Sequence, residues 1–365
     1  MSDSGLAIAS NITLVLAIAA YGVAMVAYAF DLAARARRQA AAADAAPARA
    51  GTPALVGAAA GVAAAGELPG PSDGPGPGKP GTTITGSGGP AMPGGPAGPG
   101  GSVASAARTR WPASGWARAG FVLTCLGLAS HVASITMRGI DEHRVPWGNM
   151  YEFIAAITCA AVLVLVLASA RFGAYYLGLF VLLPVVLALA VDVMVIYTPA
   201  GNLVPALQSY WIAIHVTAMI VALGLYIFGA VVTVLYLLAA RSERMAKAGG
   251  RPGGGIMAQL PGSQVLDRLS YRSVLFAFPA WTFAIIAGAI WADHAWGRYW
   301  GWDPKETWSF ITWLVYAAYL HARATAGWRG HRAAVIHLAG FACLLFNVVV
   351  INLWVTGLHS YAGMH

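Results

Sequence analysis

Residues 151–170, YEFIAAITCAAVLVLVLASA, and residues 173–196, GAYYLGLFVLLPVVLALAVDVMVI, decide the fold class. A helix needs about 20 predominantly apolar residues to cross the hydrocarbon core of a bilayer. Each stretch reaches that length with one acidic residue, Glu152 or Asp192, and no basic one. Further runs of the same kind lie near 6–30, 116–137, 210–240, 273–293, 307–325 and 333–356. In lipid every backbone polar group must be satisfied internally, so these runs predict an all-α, polytopic transmembrane helix bundle of about eight spans. Pro184 falls inside the fourth span and marks a candidate kink.

Composition agrees. Of 365 residues, 58% are hydrophobic and 10% charged, with a mean hydropathy of +0.66; soluble domains carry about 25% charged residues. The formal charge of +8 invites a nucleic-acid partner, but the basic residues sit between apolar runs and form no stripe, so no nucleic acid is expected. Cys125, Cys159 and Cys343 all lie within apolar runs, without a C-x-x-C pair, which argues against a thiol redox site or a disulfide framework. The N-terminus shows no basic n-region with an A-x-A site, so the first apolar run is expected to be a retained helix.

Between the first two spans, residues 39–110 are mostly Ala, Gly and Pro, a composition that predicts a disordered linker. The expected organisation is an N-terminal transmembrane helix in 1–38, the linker in 39–110, and the main membrane domain in 111–365. With eight spans both termini share a side, and the loops on that side hold Arg138, Arg144, Arg298 and Lys305, whereas the other basic residues fall on the opposite side or in the linker. The positive-inside rule then places the linker in the cytoplasm and both termini outside.

The most distinctive segment joins spans six and seven on the outer side: Trp296-Gly-Arg-Tyr-Trp300-Gly-Trp302-Asp303-Pro304-Lys305-Glu306-Thr307-Trp308. Asp303, Pro304 and Glu306 have the spacing of N-cap, N1 and N3 in a capping box that starts span seven. On composition alone the tryptophans read equally as an interfacial aromatic belt. A compact W-x3-W-x-W-D block also suits a flat shelf for a large planar ligand. His215, with Trp211 four residues earlier on the same face, and His359, just past the outer end of span eight, fall at the same membrane face. Neutral imidazoles are good iron ligands, and two can cap a haem from either side. His321 sits on the inner half of span seven, as either an intramembrane functional residue or one that snorkels to the headgroups. His131 in span two has the same ambiguity with weaker support. His143, His331, His337 and His365 are expected to be ordinary polar residues.

The string from Trp296 to Arg323 resembles the tryptophan-rich WWD signature of CcsA/ResC-type cytochrome c assembly proteins. Gln208-Ser-Tyr-Trp211-Ile-Ala-Ile-His215, Trp147-Gly-Asn-Met-Tyr-Glu152 and Asn352-Leu-Trp-Val-Thr-Gly-Leu-His359 support it, and the likeness runs from about residue 116 to the C-terminus. The resemblance implies that His215 and His359 ligate haem b outside the membrane, that Trp296, Trp300, Trp302, Asp303 and Trp308 form the haem-binding motif, and that His321 belongs to a transmembrane haem site. It further implies a CcsB/ResB-type membrane partner. The product would be haem joined through its vinyl groups to the C-x-x-C-H thiols of an apocytochrome c, with this chain part of a membrane haem lyase in the plasma membrane. Two alternatives remain open at this point. A b-type membrane cytochrome would use paired histidines at matching depth, and a transporter would show polar midplane residues such as Asp192 and Asn347.

Overall fold

The computed structural model describes residues 4–45, 114–199, 201, 205–249 and 259–359. Its long helices follow the predicted spans: α1 (Gly5–Ala45), α2 (Gly115–Asp141), α3 (Met150–Phe172), α4 (Gly178–Val191), α5 (Tyr210–Lys247), α6 (Ser263–Trp296), α7 (Pro304–Ala324) and α8 (His331–Leu345). No β-strand occurs among the described residues. Seven of the helices are long and apolar enough to cross a membrane, α4 and α8 doing so with the helical turns that continue them. Many of their bulky apolar side chains, among them Leu126, Leu167, Leu187, Phe276 and Ile286, face outward, as lipid contact requires. The chain is a multi-pass membrane protein.

The helix at the seventh predicted span, α7, is 21 residues long but less apolar than the rest. Its inward face carries Glu306, Ser309, Thr312, Tyr316 and Tyr319, all buried in the bundle. Polar side chains therefore replace aliphatic ones on the face that borders the site described below. The first helix also differs from expectation. It runs to Ala45, beyond the predicted boundary at residue 38, because Ala40–Ala43 continue it with the best helix-forming residue before Pro47. The remainder of the predicted linker, 46–110, lies outside the described residues.

Helix α1 packs along α2 and against α4, α5 packs along α6 and against α3, and α7 packs on α8. Two apolar clusters result. One gathers Tyr21, Tyr28, Leu165, Leu182, Leu189 and Phe228; the other gathers Tyr226, Trp281, Tyr316, Tyr319 and Leu344. Helix α5 feeds both, through Phe228 and Tyr226 on opposite sides of one turn. Past Leu345, α8 widens into a π-type turn, Phe346–Val350, before a last helical turn at Ile351–Trp354. Such turns alter the facing of the residues beyond them and recur at functional sites; this one carries Asn347 and Val348 to the chamber wall.

Candidate functional site

At the tryptophan-loop end of the bundle, α3, α5, α6, α7 and α8 enclose a chamber. Its space, counted out through the mouth into open solvent, is about 1100 Å³. The walls are mainly apolar and aromatic, with Trp147, Phe153, Trp281, Trp291, Trp296 and Trp300 among them. His215 and His359, 144 positions apart in the chain, both line it.

The position of His215 follows from how α5 begins. Ser209 caps the helix by accepting a hydrogen bond from the Trp211 amide at 3.3 Å. One further turn brings His215 against α6, where its Nδ1–H donates to the Ala284 carbonyl at 2.7 Å. The approach depends on Gly288, since a Cβ there would lie 2.6 Å from both Nδ1 and Cε1 of the imidazole. With Nδ1 engaged as a donor, Nε2 is the basic nitrogen of this ring.

His359 is placed by the other side of the site. Asp303 and Glu306 form the predicted capping box. The Asp303 carboxylate accepts from the Lys305 amide at 3.2 Å, from the Leu358 amide at 2.8 Å and from His359 Nδ1–H at 2.9 Å. One residue thus caps α7 and pins the segment after α8. Burial raises the Asp303 pKa, but the bonds from His359 and Leu358 outweigh it and hold the carboxyl at about 2. Burial lowers the His359 pKa despite the pull of Asp303, which favours a neutral imidazole at physiological pH. A carboxylate on Nδ1 of a histidine orients the ring for ligation through Nε2.

The Trp291 indole connects the two imidazoles. It stacks on His215 at 6.0 Å and 11° between planes, and meets His359 edge-on at 5.6 Å. Trp296 packs against both Trp291, at 4.8 Å, and His359, at 5.1 Å.

Of the predicted site residues, the structure brings His215, His359, Trp296 and Trp300 together on the chamber, with Asp303 supporting His359. Trp302 is not among them. It is 66% exposed, has a left-handed backbone (φ 58°) and contacts Trp300 and Phe310 from outside. Trp308 packs on Phe346 at 4.2 Å, away from the lining. The continuous shelf expected from Trp296 to Trp308 is therefore divided, because the capped turn at Asp303 sends the tryptophans on either side of it, Trp302 and Trp308, away from the chamber. His321 lies in the last turn of α7, exposed and far along the helix from the chamber. His131 is buried beside Tyr21. His337 is fully buried on hydroxyl partners, and His143 and His331 are exposed. His365 lies outside the described residues.

Trp291, Gly288, Lys305 and Asn352 also line the chamber, beyond the residues expected from the sequence. A signal existed for the first two: Ala284, Gly288 and Trp291 recur at i, i+4 and i+7, one face of α6. Nothing local marked Asn352 or Lys305, whose facing depends on how α7 and α8 pack.

A family model described as cytochrome C assembly protein matches residues 147–359. Its limits coincide with Trp147 and His359, so it spans every chamber residue named above. The cytochrome c biogenesis protein CcsA of Gloeobacter violaceus is 34% identical over 290 residues, covering 66% of this chain and 85% of that protein. The CcsA protein of Guillardia theta is 34% identical over 263 residues, covering 67% and 86% respectively. That of Prochlorococcus marinus is 34% identical over 249 residues, covering 62% and 78%.

Proposed function

The chain belongs to the cytochrome c assembly protein family, and on that premise we propose that it holds haem in this chamber and presents it for attachment to apocytochrome c. One observation carries the proposal: two imidazoles, each bound through Nδ1 to a fixed oxygen, share one aromatic-walled chamber. A porphyrin supplies four equatorial nitrogens, so two axial imidazoles complete the coordination of its iron.

His215 and His359 are the axial ligands, Asp303 orients His359, and Trp291, Trp296 and Trp300 wall the ring. Trp302 and Trp308 support the loop from outside the chamber. The cargo is haem b, because thioether formation adds each thiol S–H of a C-x-x-C-H site across a vinyl C=C. The chain's contribution is orientation, since a fixed ring places its vinyl edges for reaction and reduces the entropic barrier. A histidine of the apocytochrome replaces one axial ligand as the product leaves.

The chamber faces the outside of the plasma membrane, with both termini on that side and the linker in the cytoplasm, as the distribution of basic residues supports. Residues 111–365 form the haem-handling part. At the opposite end His321 takes part in haem entry. Its exposure on α7 suits a ligand shared with a CcsB/ResB-type partner, and the two proteins together act as the haem lyase. In a cysteine-free background, single cysteines at Gly297 and Gly249 should label from opposite sides with an impermeant reagent; labelling from one side would reverse this orientation.

The ligand assignment is tested by His215→Ala and His359→Ala. Each should strip most haem absorbance from the purified protein and block cytochrome c formation, and added imidazole should restore part of both. Full haem content in either variant removes that residue from the ligand set.

A further inference from the structure

Lys305 is the second residue of α7, and its side chain lines the chamber that holds His215 and His359. The hydrogen-bond partner of its Nζ is the Asn352 side-chain oxygen. Among the described residues no carboxylate lies within 4.0 Å of that ammonium. The two acidic groups nearest in sequence are committed elsewhere. Asp303 accepts from Lys305 N–H, Leu358 N–H and His359, while Glu306 Oε2 accepts from the amides of Gly301 at 2.8 Å and Asp303 at 3.1 Å. An ammonium in an apolar cavity with no carboxylate in contact is costly, and Asp303 acts on it only from a distance. A ligand anion removes that cost.

A second, independent feature points the same way. The indole N–H groups of Trp147 and Trp300 are buried, line the same chamber and have no hydrogen-bond partner among the described residues. The lining therefore offers one cation and two neutral donors to a guest, and its one carboxylate, Glu306, is turned to the Gly301 and Asp303 amides through Oε2. Those groups suit carboxylate oxygens, and the aromatic walls suit the rest of a planar ring.

We infer that Lys305 is the counter-ion for a peripheral carboxylate of the bound macrocycle, with the Trp147 and Trp300 indoles as additional donors, so that the chamber selects acidic porphyrins over neutral ones. This rests on the haem-holding function proposed above and goes beyond it, since axial ligation alone is indifferent to the ring's edge substituents. The same contact fixes rotation about the iron axis, which two imidazoles leave undetermined.

The experiment titrates the purified full-length protein in detergent with ferric haem and with its dimethyl ester, which share ring, iron and vinyl groups and differ in the carboxylates. A hydrogen bond to a charged group contributes about 1.5–3 kcal/mol, so the wild type should bind the diacid at least roughly tenfold more tightly. Lys305→Met should remove most of that preference by weakening the diacid while leaving the ester unchanged, and Lys305→Arg should keep it. Trp300→Phe should weaken the diacid a few-fold. Equal binding of both ligands by the wild type overturns the inference, whether or not any variant folds. So does a preference that survives in Lys305→Met. Binding of neither ligand by the wild type would instead remove the haem-holding function on which this rests.

Discussion

His215 and His337 occupy comparable settings with different consequences. Each lies inside the bundle, each uses Nδ1 in a hydrogen bond, and each is seated against a glycine of a neighbouring helix. At His337, Thr233 at 2.8 Å and Ser270 at 3.1 Å meet Nδ1, those two hydroxyls lie 2.6 Å apart, and the Tyr316 and Tyr319 rings close round the imidazole, both at 5.7 Å. At His215, the Ala284 carbonyl takes Nδ1–H, Trp291 covers a face, and the chamber opens beside the ring. Burial and a hydrogen bond are thus common to the packing histidine and to the one that lines the chamber. The space beside the ring separates them.

The two glycines give the sharpest way to break this comparison. Gly288→Val drives a side chain into His215, so haem retained per mole of protein should fall roughly five- to a hundredfold, as overpacking by about 1–3 kcal/mol is focused on His215. Gly229→Ala, whose Cβ would lie 3.0 Å from His337 Cε1, should lower the thermal midpoint and leave haem per folded molecule unchanged. If both variants lose haem equally, the two histidines are functionally alike and the distinction fails.

Asp303→Ala comes next. It removes the carboxylate that fixes His359 and the N-cap of α7, which costs about 0.5–2 kcal/mol in stability. Haem affinity should fall by roughly tenfold as a charged hydrogen bond on the ligand is lost, whereas Asp303→Asn, which keeps an acceptor oxygen, should lose less. Equal affinity in wild type and Asp303→Ala would show that His359 needs no orienting partner.

His337→Leu should change stability by about 1–3 kcal/mol in either direction, because Thr233 and Ser270 retain each other. Its haem spectrum should match the wild type; an altered spectrum would make the inner cluster a ligand site. The smallest effect is expected from His321→Ala in the isolated protein, where affinity for added haem should be unchanged because the side chain faces out of the bundle. In cells the same variant should lower haem in the chamber and cytochrome c formation. Normal levels of both would remove this residue from the entry route.

Most of the helices were legible because their causes are local. Apolar runs of sufficient length, the Asp303–Glu306 capping box and the Asn149 cap of α3, which accepts from the Glu152 amide at 2.9 Å, depend on residues a few positions apart. Helix α7 was visible through its cap even though its buried polar face makes it less apolar than its neighbours. The helical end of α1 was misjudged where an alanine-rich stretch shares the composition of the linker it enters.

The candidate site divides in the same way. The sequence by itself determined that tryptophans and two histidines gather at one end of a bundle, since helix length and span order place them there. Only the tertiary structure decided which of them share a cavity. Trp291 enters the site through the rotation of α6, Trp302 and Trp308 leave it through the turn at the α7 cap, and Lys305 enters it because α7 and α8 pack so that its ammonium meets Asn352. Helix rotation and cavity shape arise from contacts between residues far apart in the chain, here 144 positions for the two imidazoles. No local pattern encodes them, because the same amphipathic helix can be turned by a small angle at little cost until its neighbours lock it in place.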